Sequence, residues 1–175
     1  NTVTRIRRIA RPLSYLTTLM LIAFPLGLLI ALSTGYFDAA YVRGVYDLAS
    51  ITLTPAAWAM IYAINAVSVV LLWMALWNMR SLLSLYAMGD VLGADAALRI
   101  RRIGHLLLAL ALYGVLAHSL SVLALTWGNP AGERSLSIAF SNNDLFLFFA
   151  AGLMSVIGWA MTEAARVADE NRGFV

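Results

Sequence analysis

The sequence predicts an all-α integral membrane protein with four transmembrane helices and both ends on the cytoplasmic side. Three observations carry that prediction. Hydrophobic residues make up 62% of the 175-residue chain and charged residues 12%, too little charge to coat a soluble domain of this size. Four apolar stretches cover about 13–33, 55–77, 103–127 and 145–161, each close to the ~20 residues that cross a ~30 Å hydrocarbon core. The basic residues, all arginine, cluster on one side of those stretches.

The first span is preceded by Arg5, Arg7, Arg8 and Arg11. No A-x-A-type cleavage site follows it, so a retained helix is expected rather than a signal peptide. Pro25 lies within it and should kink it, freeing the carbonyl one turn earlier. Ala23, Gly27 and Ala31 recur every four residues, a spacing that permits close helix approach, with packing inside the bundle the favoured use. Residues 35–53 carry Tyr36, Phe37, Tyr41 and Tyr46, which suits a segment lying on the membrane surface.

Thr54-Pro55 reads as an N-cap followed by proline at the first helical position of the second span. Ala59 and Ala63 repeat the small-residue spacing there. Trp58, Trp73, Trp77 and Trp127 lie towards span ends, where amphipathic rings settle at the interface. Between the second and third spans come Arg80, Arg99, Arg101 and Arg102. Asp95 is placed to cap a short helix carrying Ala96, Ala97, Leu98 and Ile100, a pattern that also suits lying on anionic lipid. Residues 135–140 alternate polar and apolar, a strand-like period that Ile51-Thr52-Leu53 could pair with in a small outer cap. Asn143-Asp144 is expected to cap the fourth span. Beyond that span, Glu163, Arg166, Asp169 and Glu170 have the i,i+3 and i,i+4 spacing of surface ion pairs, and Gly173 is suited to end the helix. Arg166 and Arg172 bring the arginines on the inner side to ten of twelve, leaving Arg43 and Arg134 outside. The positive-inside rule then puts the N-terminus, middle loop and C-terminal helical tail in the cytoplasm.

Candidate chemistry is sparse. Cysteine is absent, so there is no disulfide framework, thiolate metal site or cysteine nucleophile. The two histidines, His105 and His118, both fall in the third span, about 140° apart around the helix and about 20 Å apart along it. They share no face, so a two-haem core within one chain is excluded. Gly114 lies one turn before His118, an arrangement that lets a flat macrocycle approach. Ligation of a haem or chlorophyll-type pigment by His118 therefore stands beside a plain role in helix–helix hydrogen bonding. Asn65, Ser68, Ser119 and Ser121 are polar groups within spans, expected to seek partners across helices. A transport path is the sharper alternative, but no charged residue lies deep in any span. Phosphate-loop, H-E-x-x-H and G-x-S-x-G signatures are missing, so neither an enzyme nor a metal site is expected. A basic balance reads here as topology, with no direct contact to nucleic acid.

Residues 86–104 (YAMGDVLGADAALRIRRIG) run from an aromatic through a Gly-containing turn and an acidic helix start to Leu-Arg-x-x-Arg-Ile-Gly. The stretch from Ser141 to Val175 has an aspartate at the start of the last helix and ends in Glu-Asn-x-x-Phe-Val. Together they resemble the uncharacterised bacterial family called domain of unknown function 2975. That resemblance implies a four-span inner-membrane protein with no assigned catalytic residues, often encoded beside a small helix-turn-helix regulator.

The expected function is therefore non-catalytic and rests on protein–protein contacts. The middle loop and C-terminal helix, through Arg99, Arg102, Glu163, Arg166, Asp169 and Glu170, would meet a cytoplasmic regulator. The alternative is an accessory subunit packed in the lipid bilayer against a larger respiratory or photosynthetic complex. Reporter fusions test the topology: a fusion at Arg99 or Val175 should report the cytoplasm, and a periplasmic signal from either would overturn it.

Overall fold

A computed structural model describes residues 2–46, 48, 51–91, 93–130 and 132–172, with the side chains at 2, 3, 168, 169, 171 and 172 left aside. The described residues form five helices and no strands: α1 Thr2–Ser33, α2 Ala39–Tyr46, α3 Pro55–Met88, α4 Ala94–Thr126 and α5 Asn142–Arg172. Four of them contain stretches long and apolar enough to cross a membrane: Thr4–Ser33, Pro55–Met88, Ala94–Thr126 and Asn142–Val167. The four expected spans are all present, but each helix outruns the apolar part that betrayed it. At 1.5 Å per residue, the 34 residues of α3 reach about 51 Å, well beyond a ~30 Å hydrocarbon core.

Capping chemistry sets where these helices stop. Thr54 holds an extended backbone, its side chain accepts from the Ala57 N–H at 3.1 Å, and Pro55 takes the first helical position. At the other end of α3, Gly89 sits at φ 98°, a left-handed conformation that glycine adopts without strain. Its N–H reaches the Tyr86 carbonyl and that of Asp90 reaches Leu85, both at 3.1 Å, closing the last turn. The α5 cap differs from expectation. Ser141 and Asp144 bond reciprocally: the Ser141 N–H and hydroxyl donate to Asp144 Oδ2 at 2.9 and 2.7 Å, and the Asp144 N–H returns a bond to Ser141 Oγ at 3.2 Å. This is a capping box, so the cap is Ser141, two residues before Asn143. Asp95 likewise caps nothing. α4 starts behind Gly93 with no side-chain cap, and residues 94–100 continue without a break into the apolar span.

The long helices pack in sequence: α1 on α3, α3 on α4, and α4 on α5. Arg7 reaches the carbonyls of Ala87 and Met88, Tyr113 that of Ile64, and Gly158 lies against Arg101, so neighbours run antiparallel. A closed four-helix bundle would also join its first and last members. Here α1 and α5 share no substantial contact among the described residues, and the helices form an open row with α4 the best buried. A soluble globule of 19.0 kDa would expose about 8,400 Å²; this chain exposes 11,448 Å². Lipid is the natural cover for such a surface.

The closest seam is α4–α5. A Cβ added at Gly104 would come within 2.6 Å of the Ser155 backbone nitrogen, and one at Gly158 within 2.6 Å of the Arg101 nitrogen. By contrast, the expected close-packing stripe of Ala23, Gly27 and Ala31 faces an open apolar groove of about 590 Å³, and Ala59 and Ala63 are exposed. Near this seam Leu82, Ala96, Ile100 and Ile103 form one core cluster; at the far end Val42 of α2 joins Ile61 and Leu125 in another.

The expected strand pairing between residues 51–53 and 135–140 does not form. Both segments instead fasten onto the end of α4. Thr52 donates its N–H to the Leu125 carbonyl at 3.0 Å and its hydroxyl to Asn129 Oδ1. The Ser135 N–H donates to Thr126 Oγ1 at 3.2 Å. The last turn of a helix offers carbonyls that no residue of the same helix can reach, and Thr52 takes the one at Leu125, while Ser135 is held by the Thr126 hydroxyl. The Gly173 helix stop lies outside the described residues.

Because backbone, not a flexible side chain, faces Gly158, Gly158→Leu should destabilise the α4–α5 seam by about 1–3 kcal/mol. Thermal unfolding in detergent should show this as a lowered midpoint, while Gly27→Leu, facing open space, should leave the midpoint near that of the parent.

Candidate functional site

The arginine-rich end of the row is where polar chemistry gathers. Arg7 donates from Nε to the Ala87 carbonyl at 2.7 Å and from its second terminal nitrogen to Met88 at 2.9 Å. It thereby ties α1 to the C-terminal end of α3, where partial negative charge accumulates. Arg80 reaches back from α3 to α1, its Nε donating to Thr18 Oγ1 at 2.9 Å, with its guanidinium 5.7 Å from the centre of the Trp77 ring. Arg99 on α4 donates to Asn78 Oδ1 on α3 at 3.1 Å, and the Asn78 amide in turn donates to the Met74 carbonyl at 2.8 Å. Three guanidiniums therefore fasten three helices.

This changes the role read for Arg99. It was expected at a docking surface, but it is half-buried and committed to Asn78, itself buried. Arg102 is exposed as expected, and so is His105. Glu163, Arg166 and Glu170 also stand as their spacing foretold. Arg166 bridges both carboxylates, reaching Glu170 at 2.7 Å and Glu163 more closely still, and all three side chains are more than half exposed. The Asp169 side chain lies outside the described residues. The α4–α5 register, read from Gly104 against Ser155 and Gly158 against Arg101, puts Ala94 opposite about residue 165. The final turns of α5 therefore extend past the start of α4, carrying Arg166 and Glu170 into open space.

At the other end, the His118 ring lies 5.5 Å from that of Tyr46 at an interplanar angle of 37°, within electrostatic reach of Asp144. A Cβ at Gly114 would meet Asp144 Oδ1 at 3.8 Å, so Gly114 faces the start of α5. No group of three metal-ligating side chains occurs among the described residues.

The polar residues expected to bridge helices mostly serve their own. Asn65 donates to the Ile61 carbonyl at 2.9 Å and Ser119 to Val115 at 3.1 Å, each one turn back on the same helix. Short side chains satisfy themselves this way and need no neighbour. Ser68 is half-buried with no bond shown. Ser121 Oγ and Ser155 Oγ are buried without a partner. The bonds that do cross helices come from longer groups: Tyr113 Oη to Ile64 at 2.7 Å, Trp73 Nε1 to Leu21 at 3.3 Å, and the arginines. Tyr113 carried a signal in the sequence, since a phenol inside an apolar span must find an acceptor. Asn78, Thr18 and Arg7 carried none.

No protein-family model matches the chain, and neither does any curated protein or solved structure.

The Asn78–Arg99 bond predicts a measurable coupling. Asn78→Ala and Arg99→Gln should each destabilise the fold in detergent by about 1–3 kcal/mol for a bond to a charged group, read as a lowered unfolding midpoint. The double variant should be less damaged than the sum of the two; strict additivity would show that the pair contributes nothing.

Proposed function

We propose that this is a non-catalytic, multi-pass protein of the bacterial inner membrane that works through protein–protein contacts, with its α5 tip as the docking element. The carrying observation is the projection of α5 past α4, with Glu163, Arg166 and Glu170 ordered into an exposed charged face. A preformed ion-pair ladder lowers the entropy lost when a partner engages it. Arg102, exposed on α4, lies on the same end of the row. The ten-to-two arginine distribution supports a cytoplasmic position for this end. The partner that suits both the placement and the family resemblance is a cytoplasmic regulator of the helix-turn-helix kind. Control of transcription would then act through the regulator, since the described residues form no soluble DNA-reading domain.

One observation favours a second reading, an accessory subunit of a larger membrane complex. The outer flank of α5 bares Phe146 at 75%, Phe149 at 74% and Trp159 at 70% of their full surface. Large aromatics are among the residues that anchor protein interfaces.

Photo-crosslinking in intact cells separates the two. A crosslinker at Val167 on the tip should capture a soluble protein, and one at Phe149 should capture none. Adducts to integral proteins from Phe149, with a silent tip, would transfer the function to the flank.

A further inference from the structure

We propose that a pocket between α1 and α3 at the arginine-rich end binds the phosphate of an anionic glycerophospholipid. The pocket encloses about 430 Å³ and is lined by Arg11, Ser14 and Tyr15 of α1 and by Arg80, Ser84, Ala87 and Met88 of α3. Its volume lies within the range of small-molecule sites. Two guanidiniums, two hydroxyls and a phenol converge there, a donor set matched to phosphate oxygens.

Three features make these donors available. Arg80 is oriented but unspent: its Nε is held by Thr18 and its plane lies near Trp77, while its terminal nitrogens have no protein acceptor among the described residues. Arg11 is exposed and makes no protein hydrogen bond there. The ion pairs among the described residues both lie on α5, so no carboxylate neutralises either arginine. Arg7 next door offsets the negative end of α3 by holding the Ala87 and Met88 carbonyls, which keeps the pocket positive.

A soluble anion would need nothing more, and the apolar surroundings argue for a lipid. Along α1, positions 11, 15, 18, 22 and 26 fall on one stripe at helical spacing, and along α3 positions 84, 80, 77, 73 and 70 do the same. Moving from the pocket towards the middle of the row, those stripes present Ile22, Leu26, Trp77, Trp73 and Val70, all exposed apolar side chains. A phosphate held by Arg11 and Arg80 thus leaves its acyl chains lying directly on an apolar wall. The larger open groove lined by Ala23 and Gly27 is on the opposite side of α1 and takes no part.

The test is native mass spectrometry of the detergent-solubilised full chain titrated with phosphatidylglycerol. The parent and Arg5→Gln, which removes a charge from the same end outside the pocket, should bind one lipid equally, and phosphatidylcholine should bind far more weakly. Arg11→Gln with Arg80→Gln should weaken that first adduct by roughly tenfold or more. Ser84→Phe, which blocks the pocket and keeps every charge, should weaken it comparably, with circular dichroism confirming unchanged helix content. If Arg5→Gln weakens binding as much as the pocket variants, the attraction is diffuse and the assignment fails. If millimolar inorganic phosphate displaces the lipid, the pocket serves a soluble anion and the assignment fails equally. Undiminished binding by Ser84→Phe would also overturn it.

Discussion

Inside hydrocarbon, a hydrogen-bonding group has no water to fall back on, and each one must find an oxygen or nitrogen within the protein. That single requirement explains most of what this chain does. Its spans are helical because helices satisfy their own backbone. Its short polar side chains, Asn65 and Ser119, fold back one turn onto carbonyls of the same helix. Its longer ones stretch across to neighbours, as Tyr113 does to Ile64 and Trp73 to Leu21. The arginines obey the same rule at the edge of the apolar zone. Arg7, Arg80 and Arg99 each spend donors on the adjoining helix, so guanidiniums at one end of the row hold α1, α3 and α4 together.

The spans were plain in the sequence because composition alone reports them: any stretch of about twenty apolar residues with charges only at its ends has one cheap solution in lipid. The caps at Thr54 and Gly89 were half legible. Thr54-Pro55 is a local signal, whereas Gly89 acts through its left-handed backbone, which no residue type guarantees. The failures share a cause. Residues 135–140 alternate like a strand, yet the Thr126 hydroxyl at the end of α4 captured Ser135 through both its N–H and its carbonyl. Asp95 looks like a cap when its segment is read alone, but residues 94–100 belong to a much longer helix. In both cases a short window was read alone, and the deciding partner, the Thr126 hydroxyl or the continuing helix, lay just outside it.

The same limit governs the candidate site. The Glu163–Arg166–Glu170 ladder was visible because its partners are one turn apart. Arg99 was assigned to the surface because Asn78, its acceptor, is 21 residues away on another helix. Small-residue repeats misled for a related reason. Ala23, Gly27 and Ala31 permit close approach without requiring it, and the intimate contact formed at Gly104 and Gly158, each opposite a backbone rather than a matching stripe.

Packing in a row, with each long helix resting chiefly on its sequential neighbours among the described residues, carries a consequence for how the molecule is assembled. Among the described residues α1 packs chiefly on α3, so its place in the row is completed only once α3 has followed it. The exposed apolar side chains of α1, Leu19, Ile22, Leu26 and Leu29 among them, suit contact with lipid on the flanks that α3 leaves uncovered. Each later helix then docks onto the one just laid down, so the structure can grow like a fence, post by post, with no gap left to close at the end.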